Sequence, residues 1–296
     1  GNFVVVDTTD GAKRIIAEVD FSSAAETLYE GAIYMVQASP YQVERLDWEG
    51  RKAFVRETRV DYYTDAIDYT RLKILDRFES DRRDQADTSR GEVHLVRRIP
   101  GYKKIRYYTH ENIGFGNINL PDQEMHTTAV WWQIRPEALA AAFPSRQQAL
   151  DGFLGAAYAM HHVAALRTMS EPQDLGRAVG DGDAEWFATV GAAGRGQIRT
   201  LDGGELDPEQ QRHFKPAVFL YDNYPGGVGL SAPLFDQRYR VVEDARNMIL
   251  ACGCESGCPA CVGPILASDE QRGFSPKQAA VTVLERFAEH ESQGTA

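Results

Sequence analysis

Four cysteines, Cys252, Cys254, Cys258 and Cys261, lie within ten residues of the 296-residue sequence. A disulfide framework would spread its cysteines to close long loops, because the constraint on the unfolded chain is then largest. Four thiolates are enough to close a tetrahedral structural zinc site with no open position for catalysis. The spacing is compact for a zinc ribbon, and an iron–sulfur cluster, whose cysteines also bunch together, stays an alternative. The cysteine cluster therefore predicts one structural metal site, with zinc preferred to iron–sulfur.

A run of basic and aromatic residues between positions 97 and 108 is the candidate surface for nucleic acid. Its cations would bind phosphate, and its exposed rings would stack on bases. Residues 51–110 hold 15 Lys and Arg against 10 Asp and Glu, so the formal net charge of −11 does not exclude a DNA surface. An ordinary solvated hairpin is the alternative explanation. The predicted DNA-binding residues are Arg97, Arg98, Lys103, Lys104, Arg106 and Tyr107.

Apart from the cysteine cluster, the sequence contains no recognisable pattern of catalytic residues, and we predict no catalytic residues in this chain. None of the seven lysines follows a glycine, so the phosphate-binding sequence of a Walker A loop does not occur. The glycine-rich turn at 225–229 could direct backbone N–H groups at a phosphate, but a tight strand-to-helix connection is the preferred interpretation. His161 and His162 are neighbours on a predicted helix and point about 100° apart, so the two side chains cannot easily bind one metal ion. His161 is therefore predicted to be a core residue.

Positioning these residues requires both strands and helices, so we predict an α+β protein. Alternating apolar residues predict strands at 3–7, 14–21, 32–37, 41–48 and 52–63, which would form an antiparallel meander or small barrel. The polar stretches 79–92 and 176–215 are predicted to be loops. Helices are predicted from 145 to 167, from 231 to 251 and from Ser275, where Pro276 follows an N-cap serine. We expect a β-rich subdomain over 1–78 and a mixed α/β zinc-binding domain over 79–296.

The amino-acid composition limits the classes of protein to which this chain can belong. With 43% hydrophobic residues the chain can fold around a core, and it has no apolar run of 18 residues that would span a membrane. The first residues lack the order of a secretory signal, so we expect a cytoplasmic protein. They also lack an initiator Met, and we expect the chain to be a piece of a longer protein.

The glycine-rich turn and the cysteine block together resemble the mitomycin repair factor A family of bacterial DEXH-type DNA helicases, in the region that carries a four-cysteine zinc-binding domain. Weaker similarities extend over most of the chain, from about residue 12 to residue 265. The stretches that carry the resemblance are 221–230 and 252–264, with 31–34, 41–43, 61–64, 128–131 and 174–176 in support.

The resemblance implies a function. Members of this family are superfamily 2 motors that move 3′ to 5′ on single-stranded DNA and act in the repair of mitomycin-type damage. The resemblance implies that the four cysteines are zinc ligands. It also implies that this chain is an accessory region that engages single-stranded DNA beside helicase motor domains, in cis or in trans. The motor's own motifs are absent from these residues, so ATP hydrolysis would belong to the parent protein.

A protein-interaction module is the alternative function. Similar glycine and cysteine blocks also occur in phage-defence proteins that partner a separate helicase. The net charge of −11 fits docking to a protein at least as well as docking to DNA. Binding of short single-stranded DNA would separate the two functions.

Overall fold

The computed structural model describes residues 1–109, 111–144, 146–181, 187–190, 216–263 and 275–288. The chain divides into two compact units, and neither is continuous in sequence. Unit 1 comprises Gly1–Tyr69 and Arg97–Gln123, and unit 2 comprises Thr70–Val96 and Glu124–Ala296. The predicted boundary between residues 78 and 79 stays a prediction. No helix within the described residues is long and apolar enough to cross a membrane.

Unit 1 contains a five-stranded sheet with strand order β2-β1-β5-β4-β3 and one short helix. Neighbouring strands are antiparallel except for β1 and β5, which run parallel. Helix α1 covers one face of the sheet, where Ala24 and Leu28 pack with Val5, Val43 and Val55. The elements are β1 (Phe3–Asp7), β2 (Arg14–Val19), α1 (Phe21–Thr27), β3 (Ile33–Val36), β4 (Ser39–Asp47) and β5 (Lys52–Glu57).

The next four strands are followed by the helical part of the chain. They are β6 (Tyr62–Arg82), β7 (Ala86–Arg106), β8 (Asn112–Asn117) and β9 (Gln123–Ile134). The helices α2 (Pro136–Ala142) and α3 (Arg146–Thr168) come next, before β10 (Leu175–Asp181), β11 (Phe187–Val190) and β12 (Pro216–Asp222). The last helices are α4 (Ser231–Asp236), α5 (Arg238–Ala251) and α6 (Pro276–Ala288). Sheets together with helices confirm the predicted α+β class, with its β-rich N-terminal part.

Unit 2 is built on a sheet with strand order β10-β12-β9-β7-β6-β11, buried on both faces at its centre. Trp132 on β9 packs in the core that includes α3, α5 and α6, whereas its neighbour Trp131 belongs to a second core with Phe219. All seven residues of β12 are buried. A strand buried on both faces lacks polar alternation, which explains its apolar sequence.

Helix α3 is the central helix of unit 2 and contacts α5, α6, β10 and β12. Its approach to α6 is close enough to require glycine: a Cβ on Gly152 would lie 2.7 Å from the carbonyl oxygen of Ala279. Alanines line much of the helix, so it presents small side chains to its neighbours. This close packing places the start of α6 near the end of α5, and the cysteines follow α5 directly.

Two loop predictions are wrong where the structure describes the residues. The stretch 79–92 belongs to the long strands β6 and β7, which a turn joins between Arg83 and Ala86. Polar residues form strands here because they pair across the ladder: Arg90 Nε donates to Glu79 at 2.8 Å, and the Ser80 and Ser89 hydroxyls lie 3.0 Å apart. Residues 175–181 form β10, and the remaining part of the predicted loop, 182–186 and 191–215, lies outside the described residues.

His161 is buried in α3, as expected for a core residue. Its Nε2 carries the proton, because it faces two acceptors, the carbonyl oxygens of Pro172 at 2.9 Å and Leu175 at 2.8 Å. Its Nδ1 accepts from Arg177 at 3.4 Å. Burial, with a smaller contribution from the adjacent Arg177 charge, lowers the pKa of His161 from 6.5 to about 4. The folded protein therefore holds a neutral imidazole.

We expect the protein to lose stability as the pH falls from about 6.5 towards about 4. In this range the unfolded chain takes up a proton at His161 that the folded chain excludes, so acid favours unfolding. At pH 4.5 this group should reduce the free energy of unfolding by about 2 kcal/mol. Urea titrations of the wild type and His161→Gln would measure it, because glutamine keeps an N–H donor and does not titrate. Equal slopes of stability against pH in the two proteins would contradict the assignment.

Candidate metal centre

The cysteine cluster occupies the loop that begins where α5 ends, at Ala251. The N–H of Cys252 donates to the carbonyl of Ile249, and the N–H of Cys261 turns back to the carbonyl of Cys258 at 3.1 Å. These bonds fold the loop so that all four sulfur atoms lie within 4.8 Å of one another. The shortest separations are 3.6 Å between Cys252 and Cys258 and 3.5 Å between Cys254 and Cys261.

The geometry fits a single tetrahedral ion. Metal–sulfur bonds of about 2.3 Å place the four ligand atoms about 3.8 Å apart along each edge of the tetrahedron. The observed separations of 3.5, 3.6 and 3.7 Å are close to that value. Among the described residues this is the one group of three or more Cys, His, Asp or Glu side chains close enough to hold a metal ion.

The thiols differ in how readily they ionise. Hydrogen bonding from the backbone at Ala260 and from Cys252 lowers the pKa of Cys258 to about 7. Burial raises the pKa of Cys261 to about 12. The protein alone therefore favours one thiolate and opposes another. Ionising all four together requires a positive charge at the centre, which is the chemistry that a bound metal ion supplies.

Lys277, in the first turn of α6, binds the cysteine loop. Its ammonium group donates to the carbonyl of Cys252 at 2.7 Å and to that of Cys254 at 2.9 Å. Its backbone N–H donates to the carbonyl of Ser256 at 2.9 Å. No local sequence pattern indicates this role, because the partners lie 23 and 25 positions away.

The glycine-rich turn after β12 is not an open phosphate cradle. Asp222, the last residue of β12, is fully buried, and its Oδ2 accepts from the N–H groups of Val228 at 2.8 Å, Gly229 at 2.9 Å and Leu230 at 3.2 Å. Gly227 has φ +75°, and a Cβ there would lie 2.9 Å from the same oxygen. The preferred interpretation, a tight structural connection, is consistent with this geometry.

The predicted DNA-binding residues lie along β7 and the turn that follows it, but several cations already have acidic partners. Arg97 is buried and pairs with Glu26 at 2.9 Å. Arg98 pairs with Asp122 at 3.4 Å, and Arg106 pairs with Asp61 at 3.4 Å and Glu111 at 3.5 Å.

The other members of the predicted run are less enclosed. Lys103, Lys104 and Tyr107 are half-buried, with Lys104 Nζ 5.5 Å from the ring centroid of Tyr62 and the Tyr107 ring 5.8 Å from that of Tyr63. Tyr102, in contrast, is buried in the core of unit 1. The DNA-binding role of the six residues stays a prediction, and Arg97 is the member least accessible to a ligand.

A four-cysteine centre in a loop between two packed helices is typical of a structural zinc-binding domain. Residues 156–262 match the family model of the MrfA Zn-binding domain, in agreement with the resemblance seen in the sequence. The match includes residues 156–168 of α3, all of β12 and α5, and all four cysteines.

Helicases are similar to nearly the whole chain. The sequence is 33% identical over 97% of its length to YprA of Bacillus subtilis, described as an uncharacterized ATP-dependent helicase. It is 24% identical over 95% of its length to the ATP-dependent helicase HRQ1 of Saccharomyces cerevisiae. The chain spans only 34% and 25% of these relatives.

Solved structures agree with the sequence comparison. A crystal structure of the DUF1998 helicase MrfA bound to DNA is 31% identical, with a TM-score of 0.57, and a further crystal structure of MrfA is 27% identical, with a TM-score of 0.59. The matches cover 97% and 95% of this chain but 34% of each MrfA chain.

Replacing Lys277 should loosen the cysteine loop. Lys277→Met keeps most of the side-chain stem but leaves the carbonyls of Cys252 and Cys254 without their donor, which should cost about 1–3 kcal/mol of stability. Metal should also transfer faster to a chromogenic chelator, because the loop opens more often. Gln278→Met, at the next position and exposed, is the matched control. Equal transfer rates in the two variants would contradict the role of Lys277.

Proposed function

We propose that this chain is the accessory zinc-binding, DNA-engaging region of an ATP-dependent DNA helicase. The observation that carries the proposal is the group of four sulfurs within 4.8 Å, inside the stretch that matches the MrfA Zn-binding domain. The relatives are named helicases, and one of the similar structures is an MrfA helicase bound to DNA.

The proposed division of work places catalysis in motor domains, in cis or in trans. These domains would hydrolyse ATP and move 3′ to 5′ along one strand, in the cytoplasm, during repair of mitomycin-type damage. This chain would contribute a rigid surface that holds or guides the single strand. No residue of this chain is assigned to catalysis.

The proposed metal is one structural zinc ion bound by Cys252, Cys254, Cys258 and Cys261. Three sulfur–sulfur separations of 3.5, 3.6 and 3.7 Å, with all four sulfurs within 4.8 Å of one another, support a single ion, since an iron–sulfur cluster spreads its cysteines around several irons. Zinc with four thiolates has no open position, so its work is to fold the loop. In that role the ion fixes the end of α5 relative to the start of α6.

Metal analysis and chelation test the structural site. We expect a colourless protein with one zinc per chain, and a broad absorbance near ~400 nm would indicate iron–sulfur instead. Removing the metal should lower the melting temperature, because metal-binding free energy is part of the folding free energy of such loops. Cys254→Ser, which removes one ligand, should melt like the metal-free wild type. An unchanged melting temperature after complete metal removal would exclude a structural role.

Binding of single-stranded DNA tests the second half of the proposal. A fluorescein-labelled dT oligomer should bind at low salt. The logarithm of its binding constant should fall linearly with the logarithm of the salt concentration, with a slope of about −0.7 for each phosphate neutralised. Within the predicted run, Lys104→Gln is the most informative variant, because Lys104 is half-buried and has no ion pair among the described residues. Absence of binding at low salt would favour the alternative function, a protein-interaction module that partners a separate helicase.

A further inference from the structure

The five-stranded sheet of unit 1 has a second face, on the side that is turned away from helix α1. Side chains alternate along β5, so Ala53 and Val55 enter the core, whereas Lys52, Phe54 and Arg56 point to the other face. Phe54 is half-buried at the middle of β5, which is the third of five strands and therefore the centre of the sheet. The feature to explain is an aromatic ring at the centre of this face, between the charged residues Lys52 and Arg56 on the same strand.

Strand register places an apolar row across this face. Val6 on β1 is paired with Ile15 on one side and with Phe54 on the other, and Phe54 is paired in turn with Arg45 on β4. Ile15 is 70% exposed. The row therefore runs over four adjacent strands, from an exposed aliphatic side chain to an exposed guanidinium group. We call the surface formed by Lys13, Ile15, Arg45, Lys52, Phe54 and Arg56 the Phe54 face.

Two cations approach the Phe54 ring, Arg45 from the neighbouring strand β4 and Lys13 from the position before β2. The Arg45 guanidinium lies 4.1 Å from the ring centroid and the Lys13 ammonium lies 6.0 Å from it. In the described part of the chain, Lys13, Arg45 and Lys52 form no ion pair. Their charges are therefore available to an anionic ligand.

Of the acidic residues near this face, Glu44 and Asp7 are paired with arginines, and Asp47, opposite Lys52 in the strand register, accepts from the N–H of Gly50 at 2.8 Å. Glu44 accepts from Arg56 at 2.8 Å, and Asp7, which is buried, pairs with Arg14 at 3.2 Å. Arg14 also lies 3.6 Å from Asp10. Among the described residues, Lys13, Arg45 and Lys52 therefore remain as cations without an ion pair around the ring, although the whole chain is acidic.

We propose that the Phe54 face is a stacking platform for single-stranded nucleic acid. Proteins that bind single strands combine aromatic rings, on which bases stack, with cations that follow the phosphates. Here Phe54 and the Arg45 guanidinium offer flat surfaces to a base, since guanidinium planes also stack. Lys52 and Arg56 lie about 6.6 Å from Phe54 along β5, on either side of it, where the backbone of a bound strand would run.

This surface is separate from the predicted run at 97–108, whose arginines have acidic partners. The inference rests on the proposed DNA-engaging function and assigns it a site. The sequence alone gave no sign of the Phe54 face, because Lys13, Arg45 and Phe54 come together only through strand pairing. The ligand chemistry is a short stretch of unpaired bases with their phosphates, in DNA or RNA.

The test measures binding of fluorescein-labelled dT15 and rU15 to the metal-loaded chain. Phe54→Leu keeps an apolar side chain but removes the ring, and should weaken binding about 5- to 100-fold. The double variant Lys13→Gln, Arg45→Gln should reduce the salt slope by about 1.4. Arg240→Gln removes one exposed cation from α5 and should change affinity less than about twofold. Thermal unfolding of each variant verifies its fold, and the surface glutamine variants remain informative if Phe54→Leu is unstable.

Each result has a separate meaning. Loss of binding in the Phe54 and Lys13–Arg45 variants alone supports the platform, and photocrosslinking of an iodouracil-substituted strand should then label the peptide that contains Phe54. Wild-type binding that these variants leave unchanged overturns the platform while the proposed function stands. Binding of rU15 but not dT15 through Phe54 supports the platform and contradicts the DNA function. If wild type binds neither oligomer, both proposals are overturned.

Discussion

Four sulfur atoms held within 4.8 Å of one another are the constraint on which the C-terminal part of this protein depends. Thiolates at such distances repel, and each neutral thiol is a weak donor that cannot hold a loop in place. A central cation offsets the repulsion among the thiolates, because each thiolate is attracted to the cation and forms a bond with it. A loop of ten residues, too short to bury a core of its own, then becomes a rigid connection between helices.

This loop is continuous with the packing of the helices. Cys261 and Val262 are buried in the same core as α3, α5 and α6, and a Cβ on Gly155 would lie 2.9 Å from Ala280 and 3.2 Å from Val262. Small residues on α3 thus allow the loop and α6 to approach together. Lys277 adds a polar bond between the same two elements. The proposed metal, the hydrogen bonds and the close helix packing all act on one junction, so disturbing any of them should affect the others.

Local patterns in the sequence predicted much of the fold. The first five strands, the cysteine cluster and the N-cap at Ser275, whose hydroxyl accepts from the N–H of Gln278 at 3.2 Å, all follow from residues close together in the chain. Helix α1 was missed because its residues, FSSAAET, show neither helical periodicity nor a side-chain cap. The strands at 79–92, the contacts of Lys277 and the Phe54 face depend on partners that only folding brings near.

The turn after β12 shows how one side chain separates two kinds of loop that look alike in sequence. Asp222 presents a carboxylate oxygen where a bound phosphate oxygen would otherwise accept from the same backbone N–H groups. The Asp222 carboxylate is part of the chain, so it is always present at these N–H groups, and its effective concentration there exceeds that of any anionic ligand in solution. A glycine-rich turn that follows a strand is therefore informative about nucleotide binding only together with the residue that ends the strand, because an acid at that position has already filled the place.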